Sequence, residues 1–534
     1  QWGQIQTADN ENAAGYTLDD IHFYIVANDM QMVSIDTPVV ASCGLDNNVP
    51  VRISVRNSVN TTVTNIPVLY QVDGGAVVNG TIASIPGNAT AVYQFPATAD
   101  LSAPGIHTVK AWVDFPGDTY RDNDTLIVTI INSPVITTFP HLQNFETGDG
   151  GWYTGGKKSS WEYGTPASTK INRAASGAKA WKTRLAGNYN DGELSYLYSP
   201  CYDVTGMTAP TLSMHLALDA EYCGNGSFCD GAWMEYSING VDWQRLGAVG
   251  EGTNWYNRNY PANPVWSIQD YTRWHVATIP LPTGVSRLRL RIAMNSDPYV
   301  NREGVGIDDI HIYDNTKGIY DGITMAAPTA AAAVSGNNWI DFTENDKLVA
   351  SVNANGLTLG NTTAQAYIHT GTVRDNNGQY YHNRNITVKP VNTTQPDSAI
   401  VRFYFLDTET EALIAATGCG GCTKPAQVVE LGVSKFTHTD KNIEDGDIDN
   451  NTGGEWLFIA ADRAVKVPFD KGYYAEFKVR NFSEFWLNNG GPDRNTPLPV
   501  QLLAFNAIKT ADGKNAELTW NTVAEVGVTR FEIQ

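Results

Sequence analysis

The sequence has few charged residues and no long hydrophobic run. Charged residues make up 17% of the 534 residues, a low share for a cytosolic globular protein, and Asn, Thr, Gly and Tyr fill the difference. No run of about 18 or more apolar residues occurs, so the sequence predicts no membrane-spanning segment. Apolar residues rarely recur at helical spacing, and this argues against a helical architecture.

Catalytic motifs are also absent. The sequence contains no HExxH, GxSxG or GxxxxGK[ST] motif, and its scattered histidines have no evident serine or cysteine partner. A pair of carboxylates for glycoside cleavage converges only in three dimensions, so the sequence leaves that chemistry open. We predict that this stretch of chain is not an enzyme. A catalytic domain outside it is the alternative.

Cysteines are few, and four of the six lie in two close pairs. Cys223 and Cys229 are one pair, and Cys419 and Cys422 are the other. An even number and close spacing are typical of disulfides in an oxidising compartment. A redox CxxC would need a βαβ context, and a zinc site would need a second CxxC or histidine pair. Neither is present, so we predict two local disulfides.

The formal charge is −20, from 36 basic and 56 acidic residues. Such a field repels nucleic acid and anionic membranes, so we predict no nucleic-acid partner. It favours divalent cations, neutral sugars or basic partners. The alternative is that the excess acid only keeps an extracellular protein soluble.

Apolar and polar side chains alternate in many short segments, residues 51–56 and 109–115 among them. This period is typical of strands with one buried face, and Asp-Gly and Asn-Gly turn signals separate the segments. The length predicts about three to five domains. The expected fold is therefore all-β, a multidomain string of immunoglobulin-like and jelly-roll β-sandwiches.

A short internal repeat guides the predicted domain boundaries. Residues 15–24 read GYTLDDIHFY, and residues 304–313 read GVGIDDIHIY. If the second copy closes a domain, the first closes a similar domain whose body precedes Gln1, so we expect a window of a longer chain. The predicted parts are 1–28, a closing strand; 29–133, 134–316 and 317–497, three sandwiches; and 498–534, a truncated domain.

Several segments resemble modules found in cargo proteins of the bacterial type IX secretion system. Residues 498–534, with LPVQLLAF, AELTWNT and TRFEIQ, are similar to a fibronectin type III-like module that precedes the sorting domain of such cargo. Residues 29–133, with VPVRISVRN and GIHTVKAWVDFPGD, resemble the CARDB immunoglobulin-like module. Residues 134–316, with NFETGDGGW and LYSPCYDVTG, resemble the MAM or concanavalin-like jelly roll. Residues 317–497, with YYHNRNITVKP, resemble a sandwich common in the same cargo.

The resemblance implies export by the type IX machinery to the outer cell surface or the extracellular space. It implies a non-catalytic adhesin, matrix or filament component whose partners are glycans, surface polymers or other copies of itself. It identifies no ligand, because such folds host many functions. Two alternatives are an accessory region of a secreted protease or glycosidase and an array of carbohydrate-binding modules.

The apolar pattern of IDDIHIY shifts phase at Asp308-Asp309, and this predicts a β-bulge. Adjacent acids on an apolar strand are costly unless they are paired or bound to a cation, and calcium takes oxygen ligands. Glu146, near the start of the same predicted domain, can reach its last strand. We therefore predict a structural calcium site at these three residues, as related jelly rolls have, and an equivalent upstream site at Asp19-Asp20. Hydrogen bonding of the acids to loop amides is the alternative.

The acidic segment 442–455, NIEDGDIDNNTGGE, has an EF-hand-like composition. Its glycine and its acids do not follow the spacing of a calcium loop. We interpret it as a solvated hairpin loop.

Five aromatic residues are candidates for stacking on a glycan, because the face of an aromatic ring is apolar. Core filling is the alternative interpretation. They belong to the loops of the predicted jelly roll: Trp152, Trp161, Trp255, Tyr256 and Tyr260.

Two tripeptides resemble the Asp-Ser/Thr-apolar acceptor for O-glycosylation in bacteria of the type that use type IX secretion. They are Asp124-Thr125-Leu126 and Asp397-Ser398-Ala399. Thr125 and Ser398 are therefore predicted glycosylation sites.

Overall fold

A computed structural model describes residues 28–38, 41–224, 228–260, 262–323, 328–490, 502–509 and 516–522. The predicted closing strand, with Asp19-Asp20, lies outside these residues except for Asn28, and so does most of 498–534. The chain divides into two compact units, 1–133 and 134–534. The described residues form 37 strands, one α-helix and two 3₁₀ turns, so the predicted all-β class is confirmed. The finer division into five parts stays a prediction.

The first unit is a sandwich of a three-stranded and a five-stranded sheet, in the orders β1-β3-β6 and β2-β8-β7-β4-β5. Its strands are β1 (Met30–Thr37), β2 (Ala41–Cys43), β3 (Arg52–Asn57), β4 (Val63–Val72), β5 (Val78–Ile85), β6 (Thr90–Gln94), β7 (Gly105–Val113) and β8 (Thr125–Ser133). The apolar side chains of the alternating segments fill the space between the two sheets, as the sequence predicts. Ile53 and Val55 of β3 face Val109 and Ala111 of β7, and all four are fully buried.

The second unit begins with a sandwich of two six-stranded sheets. Its strands are β9 (Val135–Ile136), β10 (His141–Gln143), β11 (Tyr153–Lys157), β12 (Trp161–Gly164), β13 (Ala180–Thr183), β14 (Leu194–Tyr202), β15 (Pro210–Asp219), β16 (Gly231–Ser237), β17 (Gln244–Arg245), β18 (Arg258–Asn259), β19 (Pro264–Val265), β20 (Tyr271–Pro280), β21 (Leu288–Asn295) and β22 (Gly304–Asp314). One sheet has the order β12-β13-β22-β15-β20, with β10 beside β22. The other has the order β11-β14-β21-β16-β17, with β9 beside β14. We call this the first sandwich of the unit.

Strand β22 contains the predicted bulge. Ser213 of β15 pairs with His311, and His215 pairs with Asp308, so β22 has one more residue than β15 between these pairs. Asp309 adopts the left-handed conformation, with φ of 48°. The bulge predicted at Asp308-Asp309 is therefore confirmed.

The second sandwich of the unit pairs the sheets β23-β26-β29-β35-β31-β32 and β24-β25-β30-β34-β33. Its elements are β23 (Ala332–Ser335), β24 (Trp339–Glu344), β25 (Lys347–Asn353), β26 (Thr358–Ile368), β27 (Arg374–Asn376), β28 (Gln379–Tyr381), β29 (Arg384–Pro390), β30 (Thr394–Leu406), α1 (Asp407–Ala415), β31 (Gly432–Thr437), β32 (Glu455–Ile459), β33 (Val465–Phe469), β34 (Gly472–Asn481) and β35 (Glu484–Asn488). A separate hairpin follows, with β36 (Leu502–Lys509) and β37 (Ala516–Thr522). Short 3₁₀ turns lie at Arg121–Asn123 and Val428–Glu430.

Helix α1 begins where Glu409 folds back on its own first turn. The Glu409 carboxylate accepts a hydrogen bond from the backbone N–H of Leu406, at 2.9 Å, and acids in a first turn favour the helix dipole. In the part of the chain that the structure describes, no helix is long and apolar enough to cross a membrane.

The two sandwiches of the second unit share a buried polar interface. The Tyr473 hydroxyl donates to Asp407 Oδ1 and accepts from the backbone N–H of Val276, both at 2.7 Å. Asn254 Nδ2 donates to the other Asp407 oxygen at 2.8 Å. The Tyr473 ring stacks on His215, with centroids 5.7 Å apart. Because a buried hydroxyl needs its partners, this network fixes how the two sandwiches meet.

Replacing Tyr473 with Phe should destabilise the chain, because it leaves Val276 N–H and Asp407 without their shared partner. We expect a loss of about 1–3 kcal/mol in the free energy of unfolding. Urea denaturation followed by Trp fluorescence measures it. Tyr236→Phe is the matched control, since that hydroxyl makes a solvent-exposed bond to Gln244. Equal effects of both variants would show that the Tyr473 hydroxyl contributes no more to stability than an exposed hydroxyl does.

Candidate functional site

The three predicted calcium ligands all hold one loop, residues 174–179. Asp308 Oδ2 accepts from the backbone N–H groups of Ala175 and Ser176, at 2.9 and 3.1 Å. Asp309 accepts from the Ser176 hydroxyl at 2.7 Å, and its other oxygen bonds His215 Nδ1 at 2.9 Å. Glu146 Oε1 accepts from the amides of residues 178 and 179, at 2.9 and 2.8 Å. This is the loop-amide arrangement that the sequence offered as the alternative to calcium.

The arrangement does not fit a calcium ion as it stands. In the described parts of the chain, the carboxylates of Glu146, Asp308 and Asp309 do not form a group of ligand atoms within 4.8 Å of one another. Burial, followed by the charge of Asp309, raises the pKa of Asp308 well above its usual value. Two loop amides already bond the Asp308 Oδ2 oxygen within the protein. Calcium at these residues stays a prediction.

Chelation discriminates between the two arrangements. The contacts favour an unchanged melting temperature of the whole chain in EGTA, and a lower one for Asp308→Asn, which weakens the acceptor of two loop amides. Differential scanning calorimetry with and without EGTA measures both. A fall on chelation that Asp309→Ala reproduces would instead support the calcium site.

Four of the five predicted stacking residues lie in the core of the first sandwich. Trp152, Trp161, Trp255 and Tyr256 are between 2% and 6% exposed. Trp255 Nε1 donates to the Leu246 carbonyl at 2.8 Å, so its polar edge is satisfied inside the protein. The structure therefore corrects the prediction: these rings fill the core and present no stacking surface. The fifth, Tyr260, is half-buried and stacks on Phe228.

The cysteine pairs form as predicted. Disulfides join Cys223 to Cys229 and Cys419 to Cys422. Cys43 and Cys201 are also disulfide-bonded.

The predicted glycosylation sites differ in accessibility. Thr125, the first residue of β8, is exposed, whereas Ser398 within β30 is half-buried. Glycosylation at both residues stays a prediction.

The acidic segment 442–455 is a hairpin connection, as predicted, because the flanking strands β31 and β32 pair antiparallel. A buried acid, Glu484, anchors it. Glu484 Oε1 accepts from the Gly446 N–H at 2.7 Å, and Oε2 accepts from Asn451 Nδ2 at 2.9 Å. The exposed Asp445 and Asp447 accept hydrogen bonds from backbone amides within the loop, those of Asp447 and Asp449 respectively. Burial raises the pKa of Glu484 from 4.5 to about 7.

The raised pKa of Glu484 predicts a pH dependence of stability. Between pH 4.5 and about 7 the folded chain holds this proton and the unfolded chain loses it, so the Glu484 contribution falls as pH rises through that window. At roughly 1.4 kcal/mol per pKa unit, the fall is up to about 3 kcal/mol. Glu484→Gln cannot ionise. Urea denaturation from pH 4.5 to 7.5 should show a gap between wild type and variant that changes with pH in this direction, and a constant gap would contradict it.

A cleft of about 710 Å³ lies between the two sandwiches of the second unit, and we call it the junction cleft. Five buried aromatic residues, between 3% and 8% exposed, form its floor: His311, Tyr313, Tyr404, Phe469 and Tyr474. Tyr313 stacks on Phe469 at 4.6 Å and on His311 at 4.4 Å. The floor therefore combines residues from β22 of the first sandwich with residues from β30, β33 and β34 of the second.

Charged side chains form the rim of the junction cleft: Asp203, Asp314, Lys317, Asp341 and Arg402. The Arg402 guanidinium lies between the rings of Trp339 and Tyr474, at 3.8 and 4.5 Å, and pairs with Glu476 at 2.8 Å. Rings on both faces hold the guanidinium in one orientation. Lys317 and Asp341 form a second, more exposed pair at 3.2 Å.

The acids and the histidine of the junction cleft are engaged locally. Asp203 accepts from the N–H and hydroxyl of Thr205, which hold its pKa below the usual value. His311 Nδ1 donates to the Pro468 carbonyl at 2.9 Å, and burial lowers the pKa of His311 to about 4, so the ring is neutral at pH 7. The accessible apolar surface of the cleft comes from Phe139, Pro140 and Met207, and together with the polar rim it suits a ligand with both apolar and hydroxylated faces.

Sequence reasoning missed the junction cleft, because its residues come from opposite ends of two domains. His311 and Tyr313 belong to the IDDIHIY motif, whose acids are its more evident feature in the sequence. Arg402 and Tyr404 alternate in VRFYFLDTE, and an arginine and a tyrosine on one face of a long strand were the available signal.

No family model matches the chain. A stretch of 147 residues is 34% identical to Bacillopeptidase F of Bacillus subtilis (strain 168) and covers 26% of this chain. It covers 10% of that protein, so the chain matches only a small part of this relative.

Solved structures show weak similarity. The CARDB domain of a Pyrococcus furiosus protein matches 20% of this chain and 97% of its own, with 17% identity and a TM-score of 0.18. A carbohydrate-binding module of the β-sandwich superfamily matches 53% of this chain and 98% of its own, with 13% identity and a TM-score of 0.21. These scores are low, so the chain's own residues carry the functional argument.

Proposed function

We propose that this chain is an extracellular, non-catalytic surface region that binds glycans in the junction cleft. The accessible lining of the cleft carries the proposal. Half-buried Phe139 and Met207 and exposed Pro140 offer apolar surface to the C–H faces of a sugar ring, and the polar side chains of the rim can bond its hydroxyls. The disulfides support an oxidising, extracellular location. Export by type IX secretion and a role as adhesin, matrix or filament component rest on the sequence resemblance and are part of the proposal.

The contacts of the cleft favour binding over turnover. A general acid or base must be able to reach the substrate and exchange a proton with it. The acids of the rim accept hydrogen bonds from neighbouring amides, hydroxyls or Lys317, and the neutral His311 is bonded to a backbone carbonyl. Each of these groups is therefore already hydrogen-bonded within the protein, and this disfavours proton exchange with a substrate.

A second candidate is an accessory region of a secreted hydrolase. The similarity to a stretch of Bacillopeptidase F favours it. Glycan binding by this chain is compatible with both roles. A protease or glycosidase sequence in the same polypeptide would favour the second.

Asp341→Asn and Phe139→Ala test the cleft. The first removes a rim charge that is 37% exposed, and the second removes a half-buried ring from the lining. We expect each to weaken binding of any glycan that an array of oligosaccharides identifies for the wild type, by about tenfold, the effect of one lost hydrogen bond or ring contact. Isothermal titration calorimetry gives the affinities.

Asp321→Asn is the matched control, because Asp321 is 33% exposed, pairs with Lys347 and is not part of the cleft. It should bind like the wild type. If no glycan on the array binds, or if the control and Asp341→Asn weaken binding equally, the proposed site is wrong.

A further inference from the structure

A second, smaller pocket also lies between the two sandwiches. Its volume is about 250 Å³, and its walls are residues 170–173 and the start of β20 from the first sandwich and residues 426–427 from the second. Three cationic side chains line it, Lys170, Arg173 and Arg273. The lining contains no carboxylate, in a chain with 56 acidic and 36 basic residues. We call it the cationic pocket.

Carboxylates outside the lining pair with two of these cations. Lys170 pairs with Asp219 at 3.1 Å and with Asp270, and Arg273 pairs with Glu411. Such ion pairs orient the donors and leave further N–H groups of each cation without a carboxylate. The Nε–H of Arg273 is buried and has no acceptor within the described structure.

Arg173 is the least constrained of the three. Its nearest acid is Glu430, at 4.0 Å, and its side chain is 48% exposed. A weak, exposed ion pair contributes little, so the guanidinium is available to a ligand. The remaining polar side chains of the lining, Asn172, Thr272 and Gln427, can each donate a hydrogen bond.

We propose that the cationic pocket binds an oxyanion, a carboxylate or sulfate group carried by an acidic saccharide. Guanidinium groups match the geometry of both oxyanions and bond them in pairs of charge-assisted hydrogen bonds. The pocket volume of about 250 Å³ accommodates one acidic substituent of a saccharide rather than a chain of sugar units. That a saccharide carries the oxyanion rests on the proposed function. That the pocket binds an oxyanion rests on the pocket alone. The protein thereby selects acidic over neutral glycans despite its net charge of −20.

Isothermal titration calorimetry with four probes tests this on the whole chain: inorganic sulfate, a uronic acid oligosaccharide, a sulfated oligosaccharide and a neutral oligosaccharide of the same length. We expect the acidic probes to bind more tightly than the neutral one. Arg173→Gln should weaken the acidic probes by about tenfold or more, the effect of losing one charge-assisted pair, and leave the neutral one unchanged. The stronger of the two acidic saccharides identifies the oxyanion.

Arg52→Gln is the matched control, because Arg52 is 47% exposed and its acid lies at 3.8 Å, outside the pocket. It should bind as the wild type does. Gln427→Glu is a second pocket variant: it keeps the oxygen that accepts from the Trp274 N–H and adds a negative charge that should repel the acidic probes. Circular dichroism and melting temperature report whether each variant folds.

The outcomes separate the pocket from the proposed function. If sulfate binds, Arg173→Gln weakens its binding and no saccharide binds, the oxyanion site is supported and the saccharide as its bearer is wrong. Equal binding of acidic and neutral probes, no binding of any probe, or equal effects of Arg173→Gln and Arg52→Gln would overturn the proposal. Asp341→Asn in the junction cleft should not change the ratio of acidic to neutral binding.

Discussion

A buried carboxylate must find donors, and three buried acids of this protein find them in the backbone amides of loops. Glu303 accepts from the N–H groups of Lys170 and Ile171, and Asp308 accepts from those of Ala175 and Ser176. Glu193 does the same for Ser160 at 2.9 Å. Each bond replaces water for both partners, so a long loop that lacks regular hydrogen bonds acquires a fixed shape. The segment between β12 and β13 depends on these acids, and it supplies one wall of the cationic pocket.

The sequence was sufficient for the fold class and for local features. Alternation predicted the strands, the phase shift predicted the bulge at Asp308-Asp309, and cysteine spacing predicted two disulfides. These features depend on residues close in the chain or on a period that repeats. The role of the two acids depended on a loop more than 130 residues away, whose amides leave no trace in a residue pattern. An acid that accepts amides and an acid that binds calcium occupy the same kind of position in a sequence.

The predicted exposure of the aromatic residues was wrong for a related reason. Trp255 and Tyr256 belong to an irregular segment, and a loop position predicts exposure. The segment instead folds inward, where Tyr256 donates to the Met234 carbonyl at 3.0 Å. The rings beneath the junction cleft lie on regular strands, Tyr313 on β22 and Tyr474 on β34, and they are also buried, at 3% and 5% exposed. Their burial depends on what a second sandwich covers, and that is a property of the interface between domains rather than of either sequence segment.

Both proposed binding sites lie at this interface, whereas the interior of each sandwich is filled. Side chains from both sheets fill each interior, as fully buried Leu212, Ile292 and Phe403 show. Where two such solids meet, their curved surfaces touch in some places and separate in others. Tyr473 and Asp407 hold the contact, and the junction cleft and the cationic pocket are the separations beside it. A ligand that reaches both sandwiches gains contacts only while they keep this arrangement, so the buried network that fixes the interface also preorganises the sites.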